Sequence, residues 1–185
     1  MTIAKRRATY EDLHNAPDDG YKYELVNGEL ERMPPPGEVP MDVAFRIALA
    51  LHDYAKRMGR GRARSGDGSY AVDLPHRQSF APDASFVWTY DNANMDFAHT
   101  PPVFAVEVRS KSDYGPAMNR KYAAKRADYF AVGTEVVWDV DTIAKTVTKY
   151  AGDAHTPVAT FGAGEQADAE PALPGWRVAA DDLFA

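Results

Sequence analysis

The sequence contains no cysteine, which excludes disulfides, thiolate metal sites and a cysteine nucleophile. It also lacks any run near the roughly 18 apolar residues that a membrane-spanning helix requires. The opening MTIAKRRATYEDL carries basic residues with no apolar stretch behind them, which is not the order of a secretory signal. These absences lead to the expectation of a cytoplasmic protein with no membrane partner. There is no GxSxG nucleophile elbow. None of His14, His52, His76, His99 and His155 has a partner at the HxxxH spacing of a zinc site. The segment Arg60-Gly61-Arg62-Ala63-Arg64 lacks the lysine–serine ending of a phosphate-cradling nucleotide loop.

What is present fits an ordinary globular chain. Its 185 residues, 45% hydrophobic and 26% charged, suit one domain spanning 1–185 with a real core. The net charge of −6 argues against a protein that coats nucleic acid through its overall field. Positive charge is nonetheless clustered, at Lys56, Arg57, Arg60, Arg62 and Arg64 and again at Arg120, Lys121, Lys125 and Arg126. The first cluster reads equally well as a phosphate contact or as a solvated helix end whose cations suit the C-terminal dipole.

Thr9 followed by Glu11 and Asp12 marks the start of a short helix. Asn27-Gly28 between two β-prone runs predicts a hairpin, and Pro34-Pro35-Pro36-Gly37 predicts a loop. From Met41 to Met58 apolar residues recur at Met41, Ala44, Ala48, Leu51, Ala55 and Met58, flanked by Val43, Ile47 and Tyr54, which predicts a long amphipathic helix stopped by Gly59. Strands are expected at Tyr70 to Leu74, Ala84 to Trp88, Val103 to Val108, Glu135 to Val140 and Thr146 to Tyr150. Pro116 suits the first position of a helix running to about Phe130. The tail beyond Ala151 gives only weak strand signals. The pattern predicts an α/β fold, a mixed β-sheet flanked by helices, preceded by an N-terminal β-hairpin.

Three acids stand out. Pro82-Asp83 opens a strand, Glu107 lies within the apolar run VFAVEVRS, and Glu24 sits in the first hairpin strand. Alternation puts Val103, Ala105, Glu107 and Arg109 on one face and Phe104, Val106 and Val108 on the other. A carboxylate in so apolar a strand is costly to bury unless it is paired or binds a metal. Two or three carboxylates can hold Mg²⁺ or Mn²⁺, hard cations that take oxygen ligands. Such a metal generates hydroxide from bound water and offsets charge on a phosphate, with a nearby lysine assisting. Taken singly, each feature has a structural explanation, Glu107 paired to Arg109 among them. Their order along the chain favours the chemical one.

The stretches YELVNGEL, APDASFV, FAVEVRSKSD and KRADYFAVGTEVVWDVD resemble the Uma-two family of restriction endonuclease-like proteins, part of the PD-(D/E)xK nuclease superfamily. The resemblance runs over about residues 10 to 150, and LPGWRV with DDLF is similar to the family's C-terminal end. It implies a restriction-endonuclease-like core, Mg²⁺ or Mn²⁺ as cofactor, DNA as substrate, and Glu24, Asp83 and Glu107 as the acidic residues. Asp83 and Glu107 would bind the metal, with Glu24 assisting directly or through water. The third motif has Arg109 where the superfamily often has lysine, and arginine cannot act as a general base. Lys125 in KRADY matches the lysine found on the following helix, with Lys121 one turn earlier as runner-up. Arg109 would hold the scissile phosphate or brace Glu107. Lys111 stands where family members usually have proline. A homodimer is expected if both strands of a duplex are cut. The alternative is a catalytically inactive nuclease-fold module that binds nucleic acid or a protein partner.

Overall fold

A computed structural model describes residues 6–66 and 68–185; the first residues of the basic N-terminal stretch lie outside them. The chain starts with α1 (Tyr10–His14), capped by Thr9 and Asp12 in a reciprocal capping box. The strands β1 (Lys22–Val26) and β2 (Glu29–Met33) follow as an antiparallel hairpin. Its turn residues Asn27 and Gly28 have φ of 54° and 74°, the left-handed pair that a tight hairpin turn demands. Helix α2 (Glu38–Met58) comes next and ends at Gly59 with φ of 64°.

Then come β3 (Arg62–Ser65), the short pair β4 (Tyr70–Ala71) and β5 (Ser79–Phe80), β6 (Ala84–Val87), β7 (Phe104–Val108) and α3 (Pro116–Ala131). The chain finishes with β8 (Val136–Asp141), β9 (Thr146–Ala151), β10 (Ala159–Phe161), β11 (Gln166–Asp168), β12 (Arg177–Ala179) and α4 (Ala180–Leu183). Among the described residues, six strands form one mixed sheet in the order β10-β9-β8-β7-β6-β3, in which only β7 and β8 run parallel. Helix α3 makes the crossover between them, as a parallel pair requires.

The central strand β7 is buried at every position. Phe104, Val106 and Val108 face the larger core, formed with Val43, Ile47 and Leu51 of α2 and with Trp138 and Trp176. Ala105 faces the smaller core on the α3 side, with Tyr129 and Val137. The expected alternation therefore holds along the strand. Val103, one residue before it, packs instead on the larger core.

Two expectations are corrected. Helix α2 buries Val43, Ile47, Leu51, Tyr54 and Ala55, while Met41 and Met58 are exposed; the buried stripe is centred on the bulkier Ile and Leu positions. The run from Tyr70 to Leu74 keeps only two residues in strand, because Leu74 and Arg77 close a tight turn that folds the chain back onto β5. No helix among the described residues is long and apolar enough to cross a membrane.

Candidate active site

The register of β6 on β7 determines where two of the acids lie. Ala84 pairs with Val106, so the next position outward sets Asp83 opposite Glu107. The Asp83 N–H extends the ladder by donating to the Val106 carbonyl at 3.0 Å. Directly opposed residues of an antiparallel pair share a face, with Cβ atoms about 5 Å apart. Asp83 Oδ2 accepts from the Val108 N–H at 2.8 Å, and Oδ1 holds the Lys22 ammonium at 2.8 Å.

Glu24 arrives from β1, which is drawn against the β4–β5 segment by backbone bonds from Gln78 to Leu25 and from Asn27 to His76. It is buried, and each oxygen is occupied. The Arg77 guanidinium is on Oε2, while Lys125 Nζ at 2.8 Å and the Ala81 N–H at 2.9 Å are on Oε1. Burial alone would raise the Glu24 pKa, but Lys125 and Arg77 outweigh it and hold the carboxyl at about 2.

Lys125 projects from α3 and reaches Glu107 as well, 2.8 Å from Oε1 and 2.9 Å from Oε2. Tyr129, one turn later, donates its hydroxyl to Glu107 Oε1 at 2.7 Å. Burial pushes Glu107 up to about 7, with Asp83 and Glu24 adding repulsion and Lys125 opposing it. Burial acts against the Lys125 charge too, yet Glu107 and Glu24 together raise its pKa. Lys125 is therefore a firmly protonated ammonium held between two carboxylates.

These groups line one cavity of about 250 Å³. Glu24, Asp83, Glu107, Lys22 and Lys125 all border it, with Tyr122 and the rim residue Lys121 on the α3 side. Lys121 pairs with Glu31 of the hairpin at 2.7 Å and is about half exposed. Lys125, and not Lys121, is the buried lysine. A groove of about 660 Å³ around Tyr10 and Phe97 contains none of Glu24, Asp83 and Glu107.

The structure thus brings the three acids to one cavity but gives them unequal surroundings. Glu24 is held by two cations and a backbone N–H, whereas Asp83 and Glu107, whose oxygens also carry donors, face each other. Among the described residues, no three His, Cys, Asp or Glu side chains are arranged to hold a metal ion. The Arg109 guanidinium lies on Asp139 rather than on Glu107, with Nε and Nη2 at 2.6 and 2.8 Å from its two oxygens. Its Nη1 donates to Asn119 Oδ1 at 2.7 Å, which ties the end of β7 to the first turns of α3.

Three participants were not read from the sequence. Lys22 lies two residues before Glu24 and so shares its strand face, and Tyr129 follows Lys125 by one helical turn; both spacings were legible. Arg77 had no local signal, because only the hairpin contact brings it to Glu24.

No protein of curated function matches the sequence. The fold is similar to a solved protein of Anabaena variabilis, described as "a putative nuclease belonging to DUF820", at TM-score 0.73 and 15% identity, covering 95% of this chain and 97% of that one. The family model Uma2, described as "Putative restriction endonuclease", matches residues 8–181. With almost its whole length matched, this chain belongs to the Uma2 family.

Proposed function

We propose that the protein is a Mg²⁺- or Mn²⁺-dependent endonuclease that hydrolyses DNA phosphodiester bonds in the Asp83–Glu107 cavity. The observation that carries this reading is the pair of opposed carboxylates with one buried, charged lysine beside them. The donor set fits a hard cation. Mg²⁺ commonly takes one or two carboxylates and keeps several waters, and Asp83 and Glu107 supply two in a cavity whose lining includes no histidine. Glu24, the most deeply buried of the three and tied to both Arg77 and Lys125, serves as the anchor of Lys125 and assists the metal directly or through water. When bound, the metal would supply a hydroxide-generating Lewis acid.

The chain's own groups do the rest. In hydrolysis a water oxygen bonds to phosphorus while the bond to the leaving sugar oxygen breaks; the water's proton departs and the leaving oxygen is protonated. Lys125 contributes positive charge where the phosphate gains negative charge. It does not take the water's proton, because Glu24 and Glu107 keep it protonated. Tyr129 fixes the orientation of Glu107. Arg109, turned to Asp139 and Asn119, acts as a positioning residue for the β7–α3 connection.

Incubation of purified protein with labelled DNA in Mg²⁺ or Mn²⁺ tests the reading. Cleavage that EDTA stops, and that Asp83→Ala and Glu107→Ala each remove, supports it. No cleavage in either metal, or cleavage that survives both substitutions, sinks it. A second reading, the inactive nuclease-fold module, is favoured by one observation: Asp83 already has Lys22 as its cation partner. That reading requires DNA binding with no carboxylate-dependent Mn²⁺ uptake.

A further inference from the structure

The cation cluster from Lys56 to Arg64 has no part in the site described above. Arg32, Arg77, Arg109 and Arg126 are all ion-paired. Among the described residues, by contrast, Lys56, Arg57, Arg60, Arg62 and Arg64 form no ion pair with a carboxylate. Lys56 and Arg57 sit in the last turn of α2, where the helix dipole welcomes them. The arginines beyond it have no such reason. Arg62 lies over the Tyr90 ring at 4.0 Å and donates to Asn92 at 2.6 Å, and Arg64 lies over Tyr70 at 5.1 Å.

Register relates these two arginines to the cavity. Arg62 opposes Val87 and Arg64 opposes Ser85 across the β3–β6 ladder. Two pairs further on, past Ser65 and Ala84, Gly66 lies opposite Asp83; a Cβ at Gly66 would stand 3.4 Å from the Asp83 carbonyl and 2.9 Å from Lys22 Nζ. Opposed residues share a face, so Arg64 and Arg62 lie on the face that bears Asp83 and Glu107. They recede from it in steps of about 7 Å, two strand residues at a time. That step is close to the separation of neighbouring phosphates on an extended nucleic-acid strand. A cavity of about 320 Å³, bordered by Lys22, Ala81 and Gly66, adjoins the active-site cavity, with which it shares Lys22 and Ala81. Beyond it β3 is the last strand of the sheet, with Arg62 and Ser65 exposed at its two ends.

We propose that β3 is the track for the cleaved strand: Arg64 and then Arg62 hold successive backbone phosphates on one side of the scissile bond. The proposal rests on the nuclease reading of the Asp83–Glu107 cavity and adds where the polymer runs. Positive charge leading from that cavity, without an ion pair among the described residues, on a chain of net charge −6, is complementary to a phosphate backbone. The rival explanation is that the arginines only guard an exposed sheet edge against pairing with another chain. Glutamate would guard that edge as well, so charge reversal separates the two.

The test is fluorescence anisotropy with a 5′-labelled 20-mer, single-stranded and duplex, in EDTA so that nothing is cleaved. R62E/R64E is expected to weaken binding at least tenfold. It should also flatten the dependence of log K on log salt by about 1.4 for the single strand and about 1.8 for the duplex, two phosphates' worth. Because Arg64 packs on buried Tyr70, the exposed single variant R62E is measured alongside, with half the loss of slope expected. Unchanged affinity and slope in R62E and R62E/R64E would overturn the track and leave the edge-guard explanation. Failure of the wild type to cleave the same oligonucleotide in Mn²⁺ would count against the nuclease reading instead, since binding is measured without metal.

Discussion

Replacing Lys125 with methionine is the sharpest probe of how the cavity is held together. The substitution keeps the aliphatic stem and removes an ammonium bonded to Glu24 and Glu107. Deleting one partner of a buried ion pair costs about 3–5 kcal/mol. Glu24 retains Arg77 and the Ala81 N–H, so the cost falls on Glu107, left with the Tyr129 hydroxyl alone. The folded-state pKa of Glu107, about 7, is above its ordinary value. Between that ordinary value and about 7 the folded protein binds the extra proton, and the stability owed to this group declines as pH rises. Without the ammonium, the Glu107 pKa climbs further and the decline continues above pH 7. K125M is therefore expected to lose about 3–5 kcal/mol at pH 8.5, roughly 10 °C in Tm for a chain of this length. The loss should be clearly smaller at pH 5.5, where Glu107 is protonated in both proteins. Urea unfolding at the two pH values measures it. Adding Glu107→Gln to K125M should recover most of the deficit at pH 8.5, because no buried charge is then left unpaired. Equal losses at both pH values, or no recovery in the double variant, would refute the reasoning.

Other consequences can be measured directly. Tyr129→Phe removes a hydrogen bond to a buried carboxylate and should cost about 2 kcal/mol in urea melts above pH 7. Gly28→Ala should lose about 1–2 kcal/mol, since a side chain there must adopt a φ of 74° and its Cβ would stand 2.6 Å from Arg7 Nε. Because Glu107 must be ionised to act as a ligand, Mn²⁺ affinity measured by calorimetry should rise with pH up to about 7 and level off beyond it. A flat profile from pH 5.5 to 8 would separate metal binding from Glu107.

The elements that could be read from the sequence carry their own local physics. Asn27-Gly28 can make its tight turn wherever it stands, and Pro116 and Gly59 begin and end helices through backbone constraints alone. Glu107 stood out because an acid amid four apolar strand neighbours is anomalous. The pairing of Asp83 with Glu107 was not legible, since it depends on a register set by two strands meeting. Neither was the division of labour among the acids. Nothing near Glu24 announces that Arg77 and Lys125 will occupy its oxygens, and Arg109 meets Asp139 only through the parallel pairing of β7 with β8. The α2 stripe shows a milder form of this limit. Periodicity found the helix, but burial centred on Ile47 and Leu51 and left Met41 and Met58 to solvent.

Titration of Mn²⁺ into the protein, followed by electron paramagnetic resonance, most directly tests whether the opposed carboxylates form a metal centre. The account predicts that the wild type takes up Mn²⁺ with loss of the free-ion signal, and that Asp83→Asn and Glu107→Gln each abolish this uptake while remaining folded. Uptake that is indifferent to both substitutions, or none in the wild type at pH 8, would contradict it.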